Sequence, residues 1–287
     1  MIAVIADIHA NLYALETIFD DMPIVSQIWL LGDSLGGLNY PCEVLDKLLN
    51  IDIPVYSIMG NHEEYLLNER LGKRPDWRLS AQWGTITWTA DALKPRHWEY
   101  IENLKPILSV DSVAGGALLF HGLPDNLKGY ILNEDDAKKA AEGRPERILV
   151  SGHSHQARMF QVGKQVVLNV GSVGIALDGI GGMATYALIN EENNSARKII
   201  FRNIAYDVDS AISSLIKSEL MERAPGITRA YALEMKTGRH YVMSLIIFAM
   251  NYAEKQLGFR PDNIPSEIWR EAEFKWDCSE WMPGRMQ

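Results

Sequence analysis

The sequence predicts an α/β fold built around a largely parallel sheet, on three observations. Its first sixty residues alternate short β-rich apolar runs with helical patterns, its polar clusters follow the strands, and β-rich runs with clusters behind them return after residue 105. Such alternation implies right-handed crossovers, which carry the residues after successive strands to one edge of the sheet. In open α/β sheets that carboxyl edge is where ligands bind.

In order, IAVIA (residues 2–6) is the first strand and Asp7 ends it; residues 12–20 have helical periodicity. IWLLG (28–32) is the second strand, ending at Gly32-Asp33, and residues 41–49 the next helix. PVYSIM (54–59) closes the βαβαβ unit at Gly60-Asn61-His62-Glu63. From 63 to 105 the pattern turns helical and aromatic, with Trp77, Trp83, Trp88 and Trp98 among charges and breaks at Pro75 and Pro95. This reads as an inserted helical cap whose tryptophans pack its core. Strands return as ILSV (107–110) and GALLF (116–120) around Gly115-Gly116, then RILVS (147–151), VVLNV (166–170), MATYALI (183–189) and KIIFR (198–202). His121, the Gly152-His153-Ser154-His155 run and Asn169-Val170-Gly171-Ser172 follow three of them. Beyond Tyr206 the chain reads as helical through 211–224 and 241–258, and the aromatic tail at 269–284 carries no motif.

Composition narrows the function classes. A hydrophobic fraction of 47% with 23% charged residues is that of a folding chain, and a net charge of -9 gives no basic field for tracking extended nucleic acid. Small anionic substrates fit better. Two cysteines, Cys42 and Cys278, with no CxxC pair, indicate neither a disulfide framework nor a zinc ribbon; both are expected as buried free thiols. Asp7 interrupts the first apolar run too early for a signal peptide, and the longest later one, 241–250, is too short to span a bilayer. A soluble, cytoplasmic protein without membrane association is expected. Segment 241–250 is either interior or a subunit contact, which leaves a homo-oligomer open.

Five of the seven histidines lie in the strand-end clusters with Asp7, Asp33 and Asn61; only His97 and His240 do not. His97, beside Pro95 and Arg96, is expected to be solvated, and His240 has no clustered partner in sequence. Imidazole with carboxylate selects borderline divalent ions such as Mn, Fe, Co, Ni or Zn over Ca and Mg, and a carboxylate can bridge two centres. Asp7, His9, Asp33, Asn61, His121, His153 and His155 are more ligands than one closed tetrahedral site needs, so their count favours two ions. Asn11 is expected to cap the first helix. Gly171-Ser172-Val173-Gly174 is equally a phosphate cradle or a tight turn.

The order D-x-H, G-D, G-N-H-E, strand-end H-G and G-H-S-H resembles that of the calcineurin-like metallophosphoesterases, over residues 1–205. The DIHAN start, the GDSLGG loop and the NVGSVG segment resemble the small prokaryotic phosphodiesterase branch in particular. The resemblance implies a four-layer α/β/β/α sandwich, with the catalytic domain at 1–205, the cap at 63–105 inside it and a mostly helical extension at 206–287. It further implies that Asp7, His9 and His155 hold one metal, that Asn61, His121 and His153 hold the other, and that Asp33 bridges them. His62 would stand beside the metals, stabilising the phosphoryl oxygens or protonating the leaving alkoxide. The expected activity is hydrolysis of a phosphodiester or phosphomonoester of a small molecule, nucleotides included, by hydroxide held between the ions. The alternative is a metal-bearing scaffold or regulatory module without turnover. Asp33 is followed by Ser34-Leu35-Gly36-Gly37, without the Asp and Arg of the Ser/Thr protein phosphatases, which counts against a phosphoprotein substrate. Ala10 replaces the glycine common in the first motif, so that position must tolerate a Cβ.

Overall fold

The computed structural model describes residues 1–111, 113, 115–190 and 199–277. The βαβαβ unit is present as β1 (Ile2–Ile5), α1 (Leu12–Asp21), β2 (Gln27–Leu30), α2 (Pro41–Leu49) and β3 (Val55–Ser57). It is followed by the helical cap, α3 (Asn61–Arg70), two short 3-10 turns, α4 (Gly84–Ala92) and α5 (Pro95–Glu102). The second half supplies β4 (Ile107–Val110), β5 (Ala117–Phe120), α6 (Glu134–Ala141), β6 (Ile148–Ser151), β7 (Ala157–Val162), β8 (Gln165–Val170), β9 (Met183–Ile189) and β10 (Ile199–Ala205). The C-terminal helices are α7 (Val208–Lys217), α8 (Leu220–Arg223), α9 (Pro225–Thr237), α10 (Val242–Leu257) and α11 (Ser266–Lys275).

The strands form two five-stranded sheets, ordered β10-β9-β1-β2-β3 and β4-β5-β6-β8-β7. Each is less parallel than expected. Three parallel strands lie at one side of the first sheet, β1-β2-β3, and at the centre of the second, β5-β6-β8, with antiparallel strands beside them. The cause is short connections: a two-residue turn at Gly163-Lys164 can only return the chain antiparallel, whereas a parallel neighbour needs a crossover.

Period-2 alternation then builds four layers. On β1, Ile2 and Val4 pack between the sheets against Leu119, Val150 and Leu168, while Ala3 and Ile5 face outward onto Leu15, Ile18 and Leu45 of α1 and α2. On the other sheet, Leu118, Phe120 and Leu149 turn outward onto Ala137, Ala140 and Ala141 of α6. Strands buried on both faces read as continuous apolar runs, which is why the sequence marks them so clearly. The C-terminal helices join the first outer layer: Leu215, Ile227, Tyr231, Leu245 and Trp269 belong to the same apolar cluster as Leu15, Trp77 and Trp98. No helix among the described residues is long and apolar enough to cross a membrane.

Two expectations need correction here. His97 is wholly buried, not solvated, because Asp46 reaches it from α2 and its Nε2 lies 2.7 Å from Asp46 Oδ1. Cys42 is a free thiol but only half-buried, its Sγ donating to the Ala92 carbonyl at 3.1 Å. Cys278 lies outside the described residues.

Candidate metal centre

The carboxyl ends of β1, β2, β3, β5 and β6 meet at one edge, and each delivers its cluster there. Asp7 and His9 follow β1, Asp33 follows β2, Asn61 and His62 open α3 after β3, His121 follows β5, and His153 and His155 follow β6. All eight come together. His9 Nε2 is 3.0 Å from His155 Nε2 and 3.8 Å from Asp33 Oδ2, and His155 Nε2 is 3.6 Å from Asp7 Oδ1. His121 Nε2 lies 3.2 Å from Asp33 Oδ2, 3.1 Å from Asn61 Oδ1 and 3.8 Å from Asp7 Oδ1. The ligand atoms of Asp7, His9 and His155 fall within 4.8 Å of one another, as do those of Asp33, His121 and His153, and those of His9, Asp33 and His62.

The hydrogen bonds on the far side of each ring fix what these atoms can do. Nδ1 of His9 faces the Gly36 carbonyl at 2.9 Å, Nδ1 of His155 the Ile175 carbonyl at 2.7 Å, and Nδ1 of His121 the Leu31 carbonyl at 2.6 Å. A carbonyl only accepts, so each Nδ1 carries the hydrogen, and the neutral His9 and His155 rings turn Nε2 lone pairs inward. Burial lowers both His9 and His155, so neither supplies a proton to share. Two lone pairs 3.0 Å apart repel unless a cation lies against both. Among the described residues, buried His153 Nε2 has no hydrogen-bond partner. Such a donor set, with carbonyls behind the imidazoles, is how divalent metal ligands are held.

Electrostatics agree. Burial alone would raise Asp33, but His121, His62 and His9 overcome it and hold the carboxyl well below the usual range. Burial likewise opposes charge on His121, yet Asp33 and Asp7 beside it raise the imidazole to about 10. Burial raises Asp7. The Asp33 carboxylate thus draws positive charge to the cluster. Asp33 is also oriented: its Oδ1 accepts from the His62 backbone N–H at 2.8 Å, which leaves Oδ2 turned toward the histidines.

Glu63 is a functional residue that sequence reasoning misses, because there it reads only as a favourable charge at a helix start. It is buried, and its carboxylate accepts from the N–H groups of Asp33 at 2.8 Å, Gly60 at 2.9 Å and Leu35 at 3.2 Å. One side chain therefore ties the second motif to the third. Their approach is so close that a Cβ on Gly60 would run into Asp33 Oδ1, and one on Gly36 would sit 2.5 Å from His62 Nδ1. Asn11 caps α1 as expected, accepting from Ala14 N at 3.1 Å, and its amide donates to the Gly174 carbonyl at 2.7 Å. The Gly171–Gly174 segment is a brace and not a phosphate cradle. Val173 and Gly174 donate to the Ala6 and Asp7 carbonyls, and Ser172 Oγ donates to the Asp7 carbonyl at 2.8 Å.

Above the cluster opens a cavity of about 340 Å³. Its floor includes His9, Asp33, Asn61, His62, His153 and His155. The cap contributes Tyr65, Trp83 and Ile86, the loop after β5 contributes Lys128 and Tyr130, and the C-terminal helices contribute Ile227, Tyr231, Met243 and Ile246. Trp77 is buried as expected, but Trp83 stacks on it at 4.0 Å and also lines the cavity. His240, without a clustered partner in the sequence, lines the cavity too, and its only sequence signal is the Gly238 turn that ends α9. The Tyr65 ring lies 5.7 Å from the His62 ring.

A two-sheet sandwich with histidines and carboxylates on the shared strand edge is the frame of a metal-dependent phosphoesterase. The calcineurin-like phosphoesterase superfamily domain matches residues 1–194, and the chain belongs to that superfamily. It is similar to an uncharacterized protein of Methanocaldococcus jannaschii, 26% identical over 244 residues, covering 77% of this chain and 94% of the relative. Among solved structures, a metallophosphoesterase from Sphaerobacter thermophilus is 25% identical with a TM-score of 0.65, covering 83% of this chain and 99% of that one. A hypothetical protein from Pyrococcus horikoshii OT3 shares the fold at 19% identity and a TM-score of 0.69, with the same coverage.

Proposed function

We propose that this chain is a dinuclear metal-dependent phosphoric ester hydrolase acting on a small phosphorylated molecule, nucleotides included. The carrying observation is the convergence of the His9 and His155 lone pairs at 3.0 Å, with orphaned His153 Nε2 across Asp33. Asp7, His9 and His155 would hold one cation and Asn61, His121 and His153 the other, with Asp33 Oδ2 facing both. Bound there, such ions supply Lewis-acid neutralisation of phosphoryl oxygens and a water acidified to near neutrality.

The chain's own residues do the rest. The Gly36, Ile175 and Leu31 carbonyls fix the orientation of three imidazoles, each with Nδ1 turned out to a carbonyl and Nε2 turned into the site. The His62 backbone fixes Asp33, and Glu63 fixes the loops that carry both. His62 lines the cavity floor, with its ring edge-on to His9 at 4.7 Å. Burial drives its imidazole down to about 3, so at neutral pH it is uncharged and offers one N–H. That suits donation to a phosphoryl oxygen whose charge grows in the transition state better than storage of a proton for the leaving group.

The test is to strip the purified protein with chelator, reload it with Mn, Fe, Co, Ni or Zn, and measure metal content with hydrolysis of p-nitrophenyl phosphate and bis-p-nitrophenyl phosphate. Two equivalents bound with turnover that depends on them are expected. Metal binding without turnover of any ester in a broad phosphorylated panel would leave the scaffold reading standing.

A further inference from the structure

Resting on the hydrolase reading, we infer that the ester group of the substrate is apolar, an alkyl or aryl alcohol held in the cavity between the cap and the C-terminal helices. The cavity has two unlike halves. Its floor is imidazole and carboxylate, whereas the cap and the C-terminal helices line the rest with Trp83, Ile86, Ile227, Met243 and Ile246, beside the polar side chains of Gln82, Thr85, Tyr231 and His240. A phosphoester has the same division, an anionic head and an esterified group, and the head belongs on the cationic side.

The lysine and the carboxylate away from the floor are already engaged. Lys128 is the one lysine or arginine lining the cavity among the described residues, and its Nζ lies 3.0 Å from Glu64 Oε2 and 4.7 Å above the Tyr65 ring. Glu234 Oε1 accepts from the N–H groups of Tyr241 and Val242, at 2.9 Å each. The volume of about 340 Å³ lies at the low end for small-molecule sites, which suits one modest apolar group. The α9–α10 pair is thereby assigned a role: it sets specificity by closing the apolar side over a floor made by residues 1–155.

The test separates this inference from the hydrolase reading by measuring binding apart from turnover. A series of non-hydrolysable n-alkyl phosphonates, propyl to hexyl, is titrated into the full-length Mn-loaded protein, beside 2,3-dihydroxypropyl phosphonate. Affinity should rise about fourfold for each methylene buried, and the dihydroxypropyl compound should bind more weakly than propyl. Ile246→Ser and Met243→Gln should each flatten the chain-length dependence; being a ratio of affinities, that slope is insensitive to the fraction of variant that folds. Equal affinity along the series, or tighter binding of the dihydroxypropyl compound, overturns the inference even if esters are hydrolysed. A steep slope in a protein that hydrolyses no ester supports the apolar pocket and rejects the hydrolase reading alone.

Discussion

Replacing Glu63 with Gln should damage the metal centre without touching a proposed ligand. In the native protein Glu63 Oε2 accepts from Asp33 N and Gly60 N, and Oε1 accepts from Leu35 N. An amide has one oxygen, so the introduced glutamine can keep the two bonds at the Oε2 position only by turning its NH2 toward the Leu35 N–H. A buried donor then faces a donor, and each unsatisfied group costs about 1–3 kcal/mol, or about 2–6 kcal/mol for the pair. At roughly 2–4 °C per kcal/mol for a chain of this size, the melting midpoint should fall by about 4–24 °C. Because the same loops carry Asp33 and Asn61, metal affinity should fall about 10–100-fold, the range seen when partners of metal ligands are removed. Thermal melts with and without chelator, together with metal titrations, measure both. A variant that melts and binds Mn like the parent would refute the reasoning, since the carboxylate would then not be what joins the two motifs.

Changing His62 to Ala should lower kcat by about 10²–10³-fold with metal content near that of the parent, as removal of one preorganised donor does; parallel loss of metal would make the residue structural. Asp33→Asn should reduce occupancy of both metal positions, read by metal analysis after gel filtration, because Oδ2 faces His9 and His121 alike. Burial raises Glu234 to about 8 against its ordinary 4.5. The folded state thus keeps a proton that the unfolded chain loses, and stability should decline as pH rises from about 4.5 to about 8 and then level off. Melts of the parent across that range should show the decline, and Glu234→Gln should flatten it.

Legibility from sequence tracks how locally each feature is encoded. Strands buried on both faces announce themselves, so β1, β5 and β6 read directly from IAVI, ALLF and ILVS. β7 escapes notice because ARMFQV alternates intermediate and exposed positions on a sheet edge and lacks an apolar run. α9 escapes because Pro225-Gly226 reads as a turn, although Pro at the first helical position is compatible with a helix start. The candidate ligands are legible because each sits directly after a strand. Glu63 acts through backbone partners that no sequence motif joins to it, Tyr65 and His240 line the cavity without a motif of their own, and the cavity wall is formed by helices whose own pattern shows only that they are amphipathic.

The backbone carries the same message as the side chains. Non-glycine residues with positive φ among the described residues are Asp7, His9, Ala10, Asp33, His153 and His155, at φ between 50° and 69°. Five of the six are proposed ligands. For such residues the left-handed region costs about 1–3 kcal/mol each, and it persists only where surrounding contacts over-determine it. Those contacts are visible: Asp7 N donates to the Gly32 carbonyl, His9 N to the Asp33 carbonyl, Ala10 N to the Ser34 carbonyl, and His153 N to the Asp7 carboxylate at 2.9 Å. A chain under selection for stability alone would place glycine or asparagine in such turns. Here the strained positions hold groups with metal-binding chemistry, and the left-handed backbone turns side chains from successive strand ends inward at a point where an extended strand would alternate them across the sheet. Ala10 completes the case: it shares the strained turn of Asp7 and His9 but contributes no ligand atom, so restoring glycine there should relieve strain without altering the site. Ala10→Gly is therefore expected to raise the melting midpoint or leave it unchanged, with metal affinity preserved. A marked loss of stability in that variant would show that the Cβ packs against something worth more than the strain it causes.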